Sequence, residues 1–260
     1  MTAAETAGPR IVAIVQARMG STRLPGKSLA DLAGKPLLQR VIERCQASAM
    51  IDDVWLATTT EAIDNALADL CGRIGVKVYR GSVDDVLDRF YQTARKATAD
   101  VVVRVTADDP FKDPEVIDLA VRRLLRGGLD YVSNTIEPTY PEGLDIETVT
   151  FEALERAWKE ARLASEREHV TPYIWKNPQW FQIENFLLDT NLSHLRWTVD
   201  YEQDLKFARA VYERLGHEGI FSMHDVLALI EKEPELATIN QGIVRNQGYL
   251  KSLAHDRTAQ

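Results

Sequence analysis

The first half of the chain alternates short apolar runs with amphipathic stretches, and this alternation restricts the fold more than any other feature. Ile11–Gln16 reads as a buried strand. Leu37, Leu38, Val41, Ile42 and Cys45 then recur at helical spacing behind Pro36, a residue suited to a helix's first turn. Val54–Thr58 is a second strand. Ile63, Ala66, Leu67, Leu70, Cys71 and Ile74 make a second helix, closed by Gly75. Val76–Tyr79 is a short strand, followed by a helix through Val86, Leu87, Phe90, Tyr91 and Ala94. Val101–Val105 is β-branched throughout apart from Arg104. Pro114 opens a helix carrying Val116, Ile117, Ala120, Val121, Leu124 and Leu125, which Gly127-Gly128 ends, and Asp130–Ser133 is another strand. Such alternation predicts an α/β fold, a mostly parallel sheet with helices on both faces. Ligands of these sheets sit beyond the carboxyl ends of the strands, where the strand order reverses.

The second half is less regular. Leu144–Thr150 reads as a strand, Phe151–Ala161 as a helix, Glu166–Trp175 as partly helical and Trp180–Leu188 as extended. Leu195–Val199 is a further strand, and Glu202–Leu215 and Met223–Ile230 are helices that pack back on the sheet. Residues 137–193 do not fit simple alternation and read as an insertion shaping an acceptor pocket and a dimer surface.

A length of 260 residues suits one large α/β domain, here residues 11–260 behind a flexible 1–10. The net charge of −8 argues against broad nucleic-acid binding, which needs a basic face, but leaves room for a local nucleotide site. Cys45 and Cys71 fall on apolar helix faces and read as buried thiols. No run reaches 18 apolar residues and the first ten contain no apolar core of a leader, so the expectation is a cytoplasmic protein with no membrane contact.

The chemistry concentrates at strand ends. The run Gln16–Lys27, QARMGSTRLPGK, follows the first strand and sets Arg18, Arg23 and Lys27 among Gly20, Ser21, Thr22 and Gly26. A glycine-containing cationic loop at a strand's end can hold a polyphosphate, because amide N–H groups and guanidinium forks both reach phosphate oxygens. It is not a Walker A loop: five residues separate Gly20 from Gly26, and Pro25 has no N–H to offer. Asp108 and Asp109 stand past the Val101–Val105 strand, before Pro110. Adjacent carboxylates there suit a divalent ion, since magnesium takes one or two protein carboxylates plus phosphate oxygens; the competing reading is an Asx turn capping the next helix. Asp200 ends the Leu195–Val199 strand and is the better partner in such a site; Asp204 and Glu202 suit a helix start. Asp145 and Glu147, two apart behind Tyr140, share one face if extended. In Arg167-Glu168-His169, Arg167 could clamp a carboxylate and His169 could touch sugar hydroxyls. For each cluster, a solvated charged face is the alternative. His194, His217, His224 and His255 show no metal spacing.

On Gln16–Leu29, Thr106–Pro110, Tyr140–Thr148, Arg167–Pro172 and Arg196–Leu205 the chain resembles the SpsF branch of the cytidylyltransferases, relatives of the synthetases that make CMP-KDO and CMP-sialic acids. The resemblance implies a GT-A/Rossmann-like nucleotidyltransferase fold and magnesium-dependent transfer of CMP from CTP to a sugar acid by a homodimer. It places Gln16 and Ala17 at the nucleotide, Arg18, Ser21, Arg23 and Lys27 on the triphosphate, Arg80 at the cytidine, and magnesium on Asp108 and Asp200. Arg18, Lys27 and Asp108 are the implied catalytic groups, and Tyr140, Asp145, Glu147, Arg167 and His169 the acceptor site. Thr106 stands where the KDO enzymes carry a glutamine that helps hold the sugar. A GT-A glycosyltransferase and a nucleotide-binding protein without turnover are the competing functions; the adjacent Asp108-Asp109 and the loop Arg18–Lys27 disfavour the first, and the two aspartates disfavour the second.

Overall fold

The computed structural model describes residues 8–216 and 219–258; most of the expected flexible N-terminus, and His217, lie outside them. The described chain runs β1 (Ile11–Gln16), β2 (Asp31–Leu32), β3 (Lys35–Pro36), α1 (Leu37–Gln46), β4 (Asp53–Thr59), α2 (Asn65–Arg73), β5 (Lys77–Gly81), α3 (Val86–Ala97), β6 (Val101–Thr106) and α4 (Pro114–Leu125). It continues with β7 (Tyr131–Ser133), β8 (Glu147–Thr150), α5 (Phe151–Glu160), α6 (Ala164–His169), α7 (Pro172–Trp175), β9 (Ile183–Asn185), α8 (Glu202–Leu215), α9 (Met223–Lys232) and α10 (Gln247–Ala254).

Among the described residues, seven strands form one sheet in the order β5-β4-β1-β6-β8-β7-β9. The pairs β1–β4, β1–β6, β4–β5 and β7–β9 are parallel, while β8 runs antiparallel to both β6 and β7. The chain moves outward from β1 to β4 to β5, then crosses back over β1 to lay down β6. The strand order therefore reverses between β1 and β6, whose ends Gln16 and Thr106 are in register. The loops after these two strands open into one crevice.

Alternate residues of the central strands feed two cores, as a period of two requires. Ala13, Val15, Val103 and Val105 pack with apolar residues of α1, α2, α4, α8 and α9. Val12, Ile14 and Val102 pack on the other side with α3 and α5. The helices thus cover both faces. Cys45 and Cys71 are buried free thiols, with burial pushing each to about 12. Among the described residues no helix is long and apolar enough to cross a membrane.

The second half departs from its sequence reading. Residues 137–193 contribute β8 and β9 to the sheet itself and α5 to its covering layer. Leu195–Val199 joins no sheet; it forms a bridge from Arg196 to Glu142. Trp197 N–H donates to the Glu142 carbonyl at 2.7 Å and Val199 N–H to the Asp108 carbonyl at 2.8 Å. This segment thereby carries Asp200 to the end of β6. The close approach requires Gly143: its φ is +106°, and a Cβ there would lie 2.7 Å from the Thr198 nitrogen.

Candidate active site

The loop after β1 is pinned from below. Met19 N–H donates to Asp64 Oδ1 at 2.7 Å, and Leu24 N–H to Ser21 Oγ at 3.3 Å. Gly26, at φ +72°, turns the chain into a short 3-10 turn that begins at Lys27. Lys27 is thereby aimed at the ends of the neighbouring strands. Its Nζ donates to Asp108 Oδ2 at 2.8 Å, Asp200 Oδ1 at 2.7 Å and the Val199 carbonyl at 3.0 Å. Arg23 reaches the other oxygen of Asp200, at 2.7 Å. Burial alone would push the Asp108 carboxyl up; the Lys27 ammonium reverses this and holds it at about 2.

The four acidic residues around this point do different work. Asp109, though it borders the crevice, is committed to its neighbours: it accepts from Thr106 Oγ1 at 2.7 Å and pairs with buried Lys112 at 2.9 Å. Burial, with Asp108 and Asp145 nearby, raises its carboxyl to about 6 despite Lys112. Asp204 is fully buried, accepts from Arg196 Nε and Nη2 at 2.9 and 3.0 Å, and caps the Asp200 and Tyr201 N–H groups at the start of α8. That leaves Asp108 and Asp200 as the pair whose oxygens converge on one point, now filled by an ammonium. Two hard oxygen donors beside a cationic loop fit magnesium, which completes its shell with phosphate oxygens and water. Lys27 can release the pair by turning to a phosphate.

Behind the pair lies a cavity of about 390 Å³, bounded by Thr106, Asp108 and Asp200 at one end and by Arg104, Glu147 and His169 at the other. Glu147 is the hub of the far end. It accepts from Tyr131 OH at 2.6 Å, from the Thr171 hydroxyl and from Arg104 Nη1, and these donors keep its carboxyl low against the opposing effect of burial. His169 and Thr171 are presented by a turn centred on Val170, whose φ of 75° and ψ of −57° are strained for a β-branched residue. The turn closes with Thr171 N–H donating to the His169 carbonyl at 2.9 Å. Burial, helped by the Arg104 charge, lowers the His169 imidazole to about 4. Tyr249, from α10, closes this wall with its ring edge-on to His169 at 5.0 Å.

Of the residues singled out from sequence, Arg23, Asp108, Asp109, Asp145, Glu147, His169 and Asp200 border the cavity, and Lys27 is bonded to two of them. Arg18 is exposed on the same loop, and the Gln16 amide oxygen is buried without a partner among the described residues. Ala17 extends β1 by donating to the Ala57 carbonyl at 3.3 Å. Arg80 ties the end of β5 to the loop after β4, donating to the Thr59 and Glu61 carbonyls at 2.8 and 2.9 Å. Of the five residues expected at the acceptor, two do not border the cavity. Tyr140 is buried edge-on against Phe186. Arg167 lies on the side of α6 facing α3, where it pairs with Asp85 at 2.5 Å and donates to the Trp158 carbonyl at 2.7 Å. The geometry therefore corrects the expectation that Arg167 clamps an acceptor. Arg104, Thr171 and Tyr249 were not anticipated; only Arg104 left a trace, as the lone charge in a buried strand.

The family model for Cytidylyltransferase matches residues 12–239. An uncharacterised protein of Methanocaldococcus jannaschii is 38% identical, over 92% of this chain and 98% of its own. The spore coat polysaccharide biosynthesis protein SpsF of Bacillus subtilis is 32% identical, over 88% and 97%. A solved cytidylyltransferase from Leptospira borgpetersenii superposes with a TM-score of 0.85 at 31% identity, covering 91% of this chain and all of that one. The 3-deoxy-manno-octulosonate cytidylyltransferase of Trichlorobacter lovleyi is 41% identical over 45% of each chain. A CMP-KDO synthetase solved with CTP shares the fold, at TM-score 0.63 and 20% identity. With its crevice between β1 and β6, its cationic loop and its converging aspartates, this chain belongs to the cytidylyltransferase family.

Proposed function

We propose that the protein transfers CMP from CTP to a hydroxyl of a sugar acid, the anomeric hydroxyl of a 2-keto-3-deoxy acid, and releases pyrophosphate with the help of magnesium. The observation that carries this reading is the position of Lys27. A phosphate-type loop delivers its cation to the midpoint of two carboxylates at the point where the strand order reverses. CTP supplies what that arrangement lacks, a polyanion for the loop.

Arg18, Arg23 and Lys27 would gather the phosphates, with Gln16 and Ala17 beneath the nucleoside. The acceptor hydroxyl gives up its proton to solvent as its oxygen attacks the α-phosphorus, the bond from that phosphorus to the oxygen bridging to the β-phosphate breaks, and pyrophosphate carries away the negative charge. Arg18 and Lys27 stabilise that charge as it develops. Magnesium held by Asp108 and Asp200 would neutralise phosphate charge and orient the reacting groups. Donors and acceptors already fixed in the cavity, among them neutral His169 and Asp145, would hold the sugar hydroxyls. The acid acceptor is the type named for the octulosonate enzymes, which match about half of this chain.

The test is replacement of the carboxylate pair. Asp108→Ala and Asp200→Ala should each lower CTP-dependent pyrophosphate release by about a hundredfold or more, the scale of losing a major electrostatic stabiliser. A folded Asp108→Ala protein with near-normal magnesium-dependent turnover would contradict the reading.

A further inference from the structure

The cavity's charges are unevenly distributed. Asp108, Asp109, Glu142, Asp145, Glu147 and Asp200 border it, with Arg23, Arg104 and Arg196 as the bordering cations. All three nitrogens of Arg196 are engaged: Nε and Nη2 bind Asp204, and Nη1 binds Glu142 at 2.6 Å. Arg23 sits on the phosphate loop against Asp200. Arg104 is different. Its Nη1 binds Glu147, its Nε is buried with no hydrogen-bond partner among the described residues, and its side chain keeps 14% of its surface open. Glu147 is itself held by Tyr131 and Thr171, so it fixes the guanidinium without using all of it. Arg104 and Thr106 alternate along β6, so both face the cavity that Asp108 borders at the strand's end.

Building on the cytidylyl-transfer reading, we propose that Arg104, seated on Glu147, receives the anionic group of the acceptor and sets the enzyme's preference for an acid over a neutral sugar. A guanidinium fork with free donors suits a planar carboxylate, and a phosphate offers the same chemistry. With Arg167 committed to Asp85, Arg104 is the cation with unused donors at this end of the cavity among the described residues. The neutral His169 beside it leaves the anion's charge to Arg104 alone.

The experiment compares a 2-keto-3-deoxy sugar acid, its methyl ester and a sugar 6-phosphate with a free anomeric hydroxyl as acceptors, with wild type, Arg104→Gln and Arg104→Lys. Pyrophosphate release gives kcat and KM, and CTP binding is titrated separately. Wild type should favour an anionic acceptor. Arg104→Gln should raise the KM for that anion by about tenfold or more and leave the KM for the ester and CTP affinity within about threefold. Preference for the 6-phosphate over the acid would identify phosphate as the anion. Arg104→Gln removes the charge facing Glu147, which keeps its bonds from Tyr131 and Thr171; Arg104→Lys, which keeps the charge and loses only the fork, should raise the KM for the anion by a smaller factor, about threefold or more, with the ester unchanged, and carries the test if the first variant fails to fold. An unchanged KM for the anion, an equal loss for anion and ester, or a wild type that accepts neutral sugars alone would overturn the proposal. A wild type that binds no CTP would instead overturn the reading on which it rests.

Discussion

His169 should make the folded state lose stability in acid, and its replacement should remove that loss. Burial and, next, the Arg104 charge hold its imidazole at about 4 instead of 6.5, although Glu168, Glu147 and Asp256 pull the other way. Between these two values the unfolded chain takes up a proton that the folded chain refuses. The contribution is therefore fully present above pH 6.5, falls as the pH drops through that window, and stops falling near pH 4. At about 1.4 kcal/mol per pH unit, moving from 6.5 to 5 removes about 2 kcal/mol. The imidazole's exposure, 23%, is low enough for most of that to survive solvent screening. His169→Phe keeps a ring against Tyr249 and loses the 3.0 Å bond to Ser252, a constant cost of about 1 kcal/mol. Urea unfolding of both proteins at pH 7.5, 6 and 5 gives the comparison. The wild type should lose about 2 kcal/mol more than the variant over that range. Parallel pH dependences, or a nuclear magnetic resonance titration of His169 with its midpoint at or above 6.5, would refute the reasoning.

Three further perturbations probe other parts of the structure. Lys27→Gln should weaken CTP binding by about tenfold or more, the scale of losing a charged hydrogen bond, while CMP binding changes little; equal weakening would move Lys27 away from the triphosphate. Gly143→Ala places a Cβ against the Thr198 nitrogen at a positive φ, and should cost about 2 kcal/mol or more in urea unfolding. Stability unchanged by that substitution would mean that residues 142–143 do not pack on 196–198. Arg167→Ala should lower the melting temperature by breaking the contacts to Asp85 and Trp158, yet leave the acceptor KM unaltered. A selectively raised acceptor KM would contradict its placement on the far side of α6.

The sheet's centre was readable because each of its elements advertises its environment. Val12–Val15 and Val101–Val103 are apolar on both sides, as strands covered on both faces must be, and the following helices carry single apolar stripes. Leu144–Thr150 reads as one strand, but at its start the backbone of Leu144 and Ile146 is satisfied by a side chain. Asn134 donates to the Leu144 carbonyl at 2.9 Å and accepts from Ile146 N–H at 2.8 Å, so the strand proper starts at Glu147. Helix α10 buries none of its residues, and its short apolar set, with Leu250 and Leu253 exposed, does not mark it as a core helix. Within the site, Lys27, Asp108 and Asp200 were legible as charges at strand ends. The far wall was not: Arg104 and Arg167 differ in which face of their element meets the cavity, and the strained turn at Val170 has no sequence mark.

The central claim is transfer of CMP. The most direct test incubates the protein with CTP, magnesium and a panel of 2-keto-3-deoxy sugar acids, with ATP, GTP and UTP as parallel donors, and reads both pyrophosphate and product mass. The account predicts one CMP-sugar formed per pyrophosphate released, from CTP in preference to the other three, and about a hundredfold less or lower still from the Asp108→Ala protein. Turnover of a nucleotide sugar with glycosyl transfer to the acceptor, or CTP binding with no nucleotidyl product from any acid, would contradict it.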